Sequence, residues 1–123
     1  MKGQRLFVRP IDAGDADSVR EFMARHAGVV TAPRCGLVGK LVGELVAVLA
    51  MEVTEETIRL DELIVAEELR RKRIGRVMMI ELDALAAKMD RRWIEASPGR
   101  ADEFLRRVGF KVEGSRFVRR VRG

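Results

Sequence analysis

"LIVAEELRRKRIGRVMM", Leu63 to Met79, decides how this chain is read. It opens as an apolar strand end, carries five cations between Arg70 and Arg76, and continues from Ile74 as an apolar pattern at helical spacing. A helix N-terminus holds roughly half a unit of positive charge and unpaired backbone N–H groups, so an anion binds there readily. Gly75, with no Cβ, lets such an anion come close to the backbone. Arg70, Arg71, Lys72, Arg73 and Arg76 add donors for charge-assisted hydrogen bonds. Strand, basic loop and helix together suit a diphosphate. The blander alternative is a solvated run of charge.

The strand leading into this loop, "IRLDELIV" from Ile58 to Val65, does not keep one phase. Ile58 and Leu60 share a face that continues to Glu62, whereas Leu63 and Val65 belong to the other. Three readings stand open. Glu62 points into an apolar layer, an extra residue slips the register near Asp61 and Glu62 as a β-bulge, or the strand end is exposed there. Without a bulge, Asp61 and Glu62 face opposite sides and form no carboxylate pair.

Outward from this core, "LFVRP" (Leu6 to Pro10) reads as a first strand and "DAGDADSVREFMARHA" as a helix. Asp15 is its expected N-cap, and Val19, Phe22 and Met23 form its apolar stripe. "GVVTAPRCG" is a connection, and "CGLVGKLVGELVAVLAMEV" is strand, turn, strand, with the turn between Lys40 and Glu44. The longest helix spans about Ile74 to Met89, with Ile74, Val77, Met78, Leu82, Leu85 and Met89 as its buried face. "RWIEA" is a strand, "SPGRADEFLRRV" a helix opened by Ser97 and Pro98, and "FKVEGSRFVRRV" a closing hairpin. The order β-α-β-β-β-α-β-α-β-β predicts an α/β domain over residues 1–123, with a mixed, mainly antiparallel sheet flanked by helices.

Composition narrows the function. A length of 123 residues suits one domain, and a hydrophobic fraction of 47% speaks for a packed core rather than disorder. No apolar run reaches the roughly 18 residues of a membrane span, and "MKGQRLFVRP" lacks the apolar stretch of a signal peptide. With the lone Cys35 unable to form an internal disulfide, a cytoplasmic protein with no membrane partner is expected. Cys35 itself reads as a small buried apolar residue. The net charge of +5 fits a phosphate-bearing ligand or nucleic acid. No tyrosine, one tryptophan and five phenylalanines offer few platforms for stacking bases, which counts against nucleic acid despite the basic C-terminal stretch of Arg116, Arg119, Arg120 and Arg122. His26 reads as a surface residue, and one histidine with one cysteine makes no zinc site, so no metal is expected.

"LIVAEELRRKRIGRVMM" followed by "FLRRVGFKVEG" resembles the GNAT superfamily of acyl-CoA-dependent N-acyltransferases. Leu63 and Val65 match that family's strand end, and Arg70 and Gly75 match the first and last positions of its loop. The opening "VRPIDAGDADSV" and Val108 to Phe110 match its start and the stretch after its last helix. The resemblance implies that the backbone of Leu63, Ile64 and Val65 holds pantetheine, and that Arg70, Arg71, Lys72, Arg73, Ile74, Gly75 and Arg76 hold the pyrophosphate of coenzyme A. It implies acetyl-CoA or another acyl-CoA as co-substrate and a small-molecule or protein amine as acceptor; Glu62, singled out by the phase of its strand, is the candidate catalytic base for that amine. A homodimer is left open. Two residues depart from the family's pattern: Arg73 replaces the first loop glycine, and Leu105 replaces the tyrosine that many members use to protonate the leaving thiolate. The two resulting readings are an N-acetyltransferase and a catalytically weak or inactive acyl-CoA-binding sensor that regulates a partner protein.

Overall fold

A computed structural model describes residues 5–29, 32–99 and 101–122. Seven strands form one sheet in the order β1-β2-β3-β4-β5-β7-β6. These are β1 (Leu6–Pro10), β2 (Gly36–Leu41), β3 (Glu44–Val53), β4 (Thr57–Val65), β5 (Trp93–Ala96), β6 (Lys111–Glu113) and β7 (Arg116–Arg120). Every pairing is antiparallel except β4 with β5, which is parallel because helix α2 (Ile74–Lys88) crosses between them. Helices α1 (Ala16–Ala27) and α3 (Asp102–Arg107) complete the order expected from the sequence. The β2–β3 turn is set by Val42 and Gly43, both at positive φ, which matches the twist of a two-residue hairpin.

The sheet separates two apolar layers. On one side Ile58, Leu60, Ile94 and Phe117 pack with Ile74, Met78, Met79, Leu82 and Ala86 of α2 and with Leu105. On the other, Val38, Val48, Ile64 and Ala66 pack with Val19, Phe22 and Met23 of α1. The buried face of α2 is turned from the expected one. Met79, Asp83 and Ala86 are buried, while Val77, Leu85 and Met89 are only partly so. The rotation follows from Asp83, which receives Arg119 of β7 at 2.6 Å inside the core.

Other expectations are refined or corrected. Asp15 is the N-cap residue of α1, as expected, but its side chain supplies no capping hydrogen bond. Its carboxylate instead accepts both Nη groups of Arg9 at 2.7 Å and the Asp12 N–H at 2.8 Å. Asp12 does the capping, accepting the Gly14 N–H at 2.9 Å to open a short 3-10 turn before α1. Helix α3 starts at Asp102 rather than at Ser97, where Asp102 Oδ1 accepts the Gly99 N–H at 2.6 Å. Arg100 of the expected helix, and Val30 and Thr31 of the expected connection, lie outside the described residues. Cys35 is half-buried rather than buried.

The Arg9 guanidinium, with the Asp12 N–H, holds the Asp15 carboxyl well below the usual aspartate range. A carboxylate whose folded pKa is depressed adds stability that is present above its unfolded pKa, about 4, and is lost as pH falls below it. The urea midpoint is therefore expected to drop from pH 5 to pH 2, with Asp15→Asn less stable at pH 6 and showing a shallower drop. Equal slopes for both proteins would refute the assignment.

Candidate functional site

The site is built around a fork in the sheet. Strand β4 pairs with β3 as far as Val65, but its parallel pairing with β5 ends at Leu60↔Ala96. At that point β4 takes in one extra residue. Ala50 of β3 faces Glu62 while Met51 faces Leu60, so Asp61 is the bulge. This resolves the phase of the strand: Ile58, Leu60, Leu63 and Val65 all pack on the α2 side, and Ile64 packs on the α1 side. The bulge also turns Asp61 and Glu62 to one face. Asp61 Oδ1 accepts Nε of Arg59 at 2.8 Å, and exposed Glu62 is in phase with Ile64.

Backbone alternation defines what the fork offers. The Ala66 N–H donates to the Val46 carbonyl at 2.9 Å, so Ile64 and Glu62 direct their backbone groups to β3. Leu63 and Val65 direct theirs to the side that β5 has left. Of the three strand-end positions picked out in the sequence, Leu63 and Val65 thus present the open edge, while Ile64 contributes a buried side chain.

Beyond Val65 comes a 3-10 turn, Glu67–Leu69, and then the arginine loop. Arg70 is extended and acts as a staple. Its Nε donates to the Val65 carbonyl at 3.1 Å and its Nη2 to the His26 carbonyl at 3.0 Å. His26 is more than a surface residue. Its Nδ1 accepts the Glu67 N–H at 3.3 Å and its ring lies 4.6 Å from that of Phe22, so the end of α1 is docked on the turn that launches the loop. Sequence spacing carried no sign of this contact, which spans 41 residues.

Arg71 and Arg73 both adopt left-handed backbone, with φ of 68° and 65°. An L side chain costs about 1–2 kcal/mol there, so the position where Arg73 replaces a family glycine is one whose backbone favours glycine. Arg73 is also the N-cap of α2 and supplies no side-chain cap, and the first turn of α2 holds no acid. The N-terminus of a 15-residue helix thus opens among the exposed side chains of Arg71, Lys72, Arg73 and Arg76. Ile74 is buried and anchors this end to the core.

Gly75 also has a packing role. A Cβ there would lie 3.2 Å from Phe104 Cε1 and 3.7 Å from Leu63 Cδ2. The missing side chain therefore lets α2 close against α3 and β4. Phe104 fills the junction at the fork, whereas Leu105 is 3% exposed and belongs to the core.

A cleft of about 280 Å³ lies where β4 and β5 part, lined by Arg59, Asp61, Glu95, Ala96, Ser97 and Arg116. Arg116 Nη1 donates to Glu95 Oε2 at 3.1 Å, and Arg59 bridges Asp61 to Glu52. Apart from Asp61, these residues escaped sequence reading. Glu95 and Arg116 meet only through the pairing of β5 with β7, which no motif announces. The Arg59–Asp61 spacing of two along one strand was the available signal. The basic C-terminus is likewise not one surface, since Arg119 is buried while Arg116 and Arg120 are exposed. Among the described residues no three His, Cys, Asp or Glu side chains cluster as a metal site. No helix among them is long and apolar enough to cross a membrane.

Comparison with known proteins agrees with this architecture. The structure of YhbS, a GNAT family N-acetyltransferase from Escherichia coli solved with CoA, superposes with a TM-score of 0.77 at 15% identity, over 99% of this chain and 84% of that one. PaiA N-acetyltransferase from Thermoplasma acidophilum, solved with coenzyme A, gives 0.74 at 17% identity over 93% and 96%. N-acetylglutamate synthase from Neisseria gonorrhoeae, solved with coenzyme A and L-arginine, gives 0.81 at 13% identity over 96% of this chain but 34% of that one. At such identities the likeness is one of fold. No curated protein matches the sequence. The family model described as "Acetyltransferase (GNAT) family" matches residues 6–110, so the chain belongs to the GNAT acetyltransferase family.

Proposed function

We propose that this protein transfers an acetyl or other acyl group from acyl-CoA to an amine by direct attack. The observation that carries this reading is the convergence of the open backbone edge of Leu63 and Val65 with the helix N-terminus inside the arginine loop. The edge suits the amide groups of a pantetheine arm, as a further strand would. The loop, Arg70 to Arg76, suits the phosphates. The structural neighbours solved with coenzyme A support the same fit.

In the chemistry proposed here, a neutral amine attacks the thioester carbonyl carbon, the C–N bond forms, and the C–S bond breaks with its electron pair on sulfur. Glu62, on the exposed face beside the bulge, takes the amine proton, directly or through a water. A thiol pKa of about 8.5 lets the thiolate depart unprotonated, so a leucine at position 105 slows the step without forbidding it. The reading places this activity in the cytoplasm, with the amine acceptor as the other partner.

Acetyl-CoA at 100 times its dissociation constant is expected to add about 2.7 kcal/mol. That is a rise of several degrees or more in melting temperature, shrinking as salt is added. Arg73→Gly separates the two roles of that residue. Relief of the left-handed strain, less the added freedom of the unfolded chain, is expected to raise the stability of the free protein by about 0.5–1 kcal/mol. Loss of a charged donor weakens coenzyme A binding by at most about 1.5–3 kcal/mol. No thermal shift at millimolar acetyl-CoA in low salt rules out the coenzyme assignment. Tighter binding by Arg73→Gly makes the arginine an obstruction.

The second reading, an acyl-CoA sensor that regulates a partner, is favoured by the burial of apolar Leu105 where many members carry tyrosine. Coenzyme A binding without turnover of any amine at any pH selects it.

A further inference from the structure

We propose that the cleft at the fork takes a small acceptor bearing a carboxylate beside its amine, that is, a free α-amino acid, with Arg116 as the residue that selects it. The inference rests on the acyl-transfer reading above and names the substrate class for the same site.

Position comes first. Asp61 is the bulge and Ala96 is the last residue of β5 paired to β4, so a cleft lined by both opens where the strands part. Glu62, the proposed base, does not line the cleft but follows the cleft-lining Asp61 directly along β4, within reach of the amine of an acceptor seated there on this proposal. The cleft's volume of about 280 Å³ lies just under the range for drug-sized ligands and suits a small molecule.

The charges then choose among small amines. Each ionic group in the cleft is only partly used. Arg116 donates through Nη1 alone, to Glu95 Oε2. A guanidinium has five N–H donors, so Nε and Nη2 of Arg116, and Nη1 of Arg59, have no partner among the described residues. On the acidic side the same holds for Asp61 Oδ2 and Glu95 Oε1. Residues with spare donors and residues with spare acceptors thus line one small space, a mixture of charge that complements a zwitterion. A polyamine would set its cations against the two guanidinium groups. A peptide N-terminus has no carboxylate next to its amine. Arg59 is already held by Asp61 and Glu52, so the freer fork of Arg116 is the carboxylate anchor. This leaves Asp61 and Glu62 for the amine. The nitrogen forms the new bond to the acyl carbon, the thiolate leaves, and the released proton goes to Glu62.

The test uses the full chain with acetyl-CoA and follows release of the free thiol. The acceptors are the common free amino acids, the methyl ester of each one accepted, spermidine and a tripeptide. At least one free amino acid is expected to be acetylated, with its methyl ester lower by about 10-fold or more in kcat/KM. Arg116→Ala should lose on the free acid alone, bringing the ratio of acid to ester near unity. Arg116→Lys, which keeps the charge but loses the fork, should fall between. Calorimetric binding of the amino acid to coenzyme A-loaded protein should weaken in the same order. The proposal is overturned if the ester, spermidine or the tripeptide matches the best amino acid, or if Arg116→Ala leaves the ratio unchanged. It is also overturned if coenzyme A binds and no acceptor reacts. Failure of coenzyme A to bind removes the acyl-transfer reading itself, whereas coenzyme A binding with polyamine turnover removes only the amino acid assignment.

Discussion

Asp83→Ala lowers the unfolding free energy by about 3–5 kcal/mol, the usual cost of breaking one side of a buried ion pair. Both partners are 6% exposed. Without Asp83, the Arg119 guanidinium loses its counter-charge and keeps only the Val108 carbonyl at 3.1 Å and the face of Phe110, with its Nε already lacking a partner. The Arg122 N–H also loses its acceptor, Asp83 Oδ1 at 3.2 Å. Against a total stability on the order of 5–15 kcal/mol, the melting temperature falls by roughly 10–20 °C. Replacing both partners, Asp83→Leu with Arg119→Met, is expected to cost clearly less than the two single changes added together. Thermal and urea unfolding of the five proteins, the parent, Asp83→Ala, the two single replacements and the double, decide the matter. An Asp83→Ala loss below about 1 kcal/mol would show that the pair is not the joint between α2 and β7.

On the acyl-transfer reading, Glu62→Gln is expected to lower kcat by about 10²-fold or more, the range of general base catalysis. The change keeps the shape of an exposed side chain, so the melting temperature and coenzyme A affinity stay close to those of the parent. For the parent, the rate with an α-amino acceptor rises from pH 7 toward 8.5, because the amine must be neutral and such amines have pKa values of about 8. Asp61→Asn is the necessary comparison, since Asp61 shares the face but is engaged by Arg59. Its effect should be smaller and should fall on KM. If Glu62→Gln keeps most of the rate while Asp61→Asn loses it, the base is Asp61.

Much of this was legible in the sequence for a physical reason. The break between the Ile58–Leu60 phase and the Leu63–Val65 phase admits few solutions in a strand with two buried faces, and a bulge at Asp61 is the one adopted. The basic loop stood out because the helical pattern begins inside it. What stayed hidden depends on contacts between distant segments. The expected buried face of α2 omits Asp83, because its partner lies 36 residues away on β7. Gly75 was read toward an anion because nothing local indicated that Phe104 fills the space of its missing Cβ. The charged lining of the cleft required the β5–β7 register, which the hydrophobic pattern does not encode.

The bulge uncouples the course of β4 from the faces its side chains take. Asp61→Ala would remove a carboxylate yet preserve the count, and every later side chain would keep its face. Deleting Asp61 would leave Leu60 opposite Met51 and Glu62 opposite Ala50 in an unbroken ladder, so the later side chains would keep their faces too. What the deletion would take away is the local bend that the extra residue puts into β4 where β5 leaves it. The extra residue is a bend built into β4, and its loss would straighten the strand at the proposed site while every apolar side chain stayed in its layer.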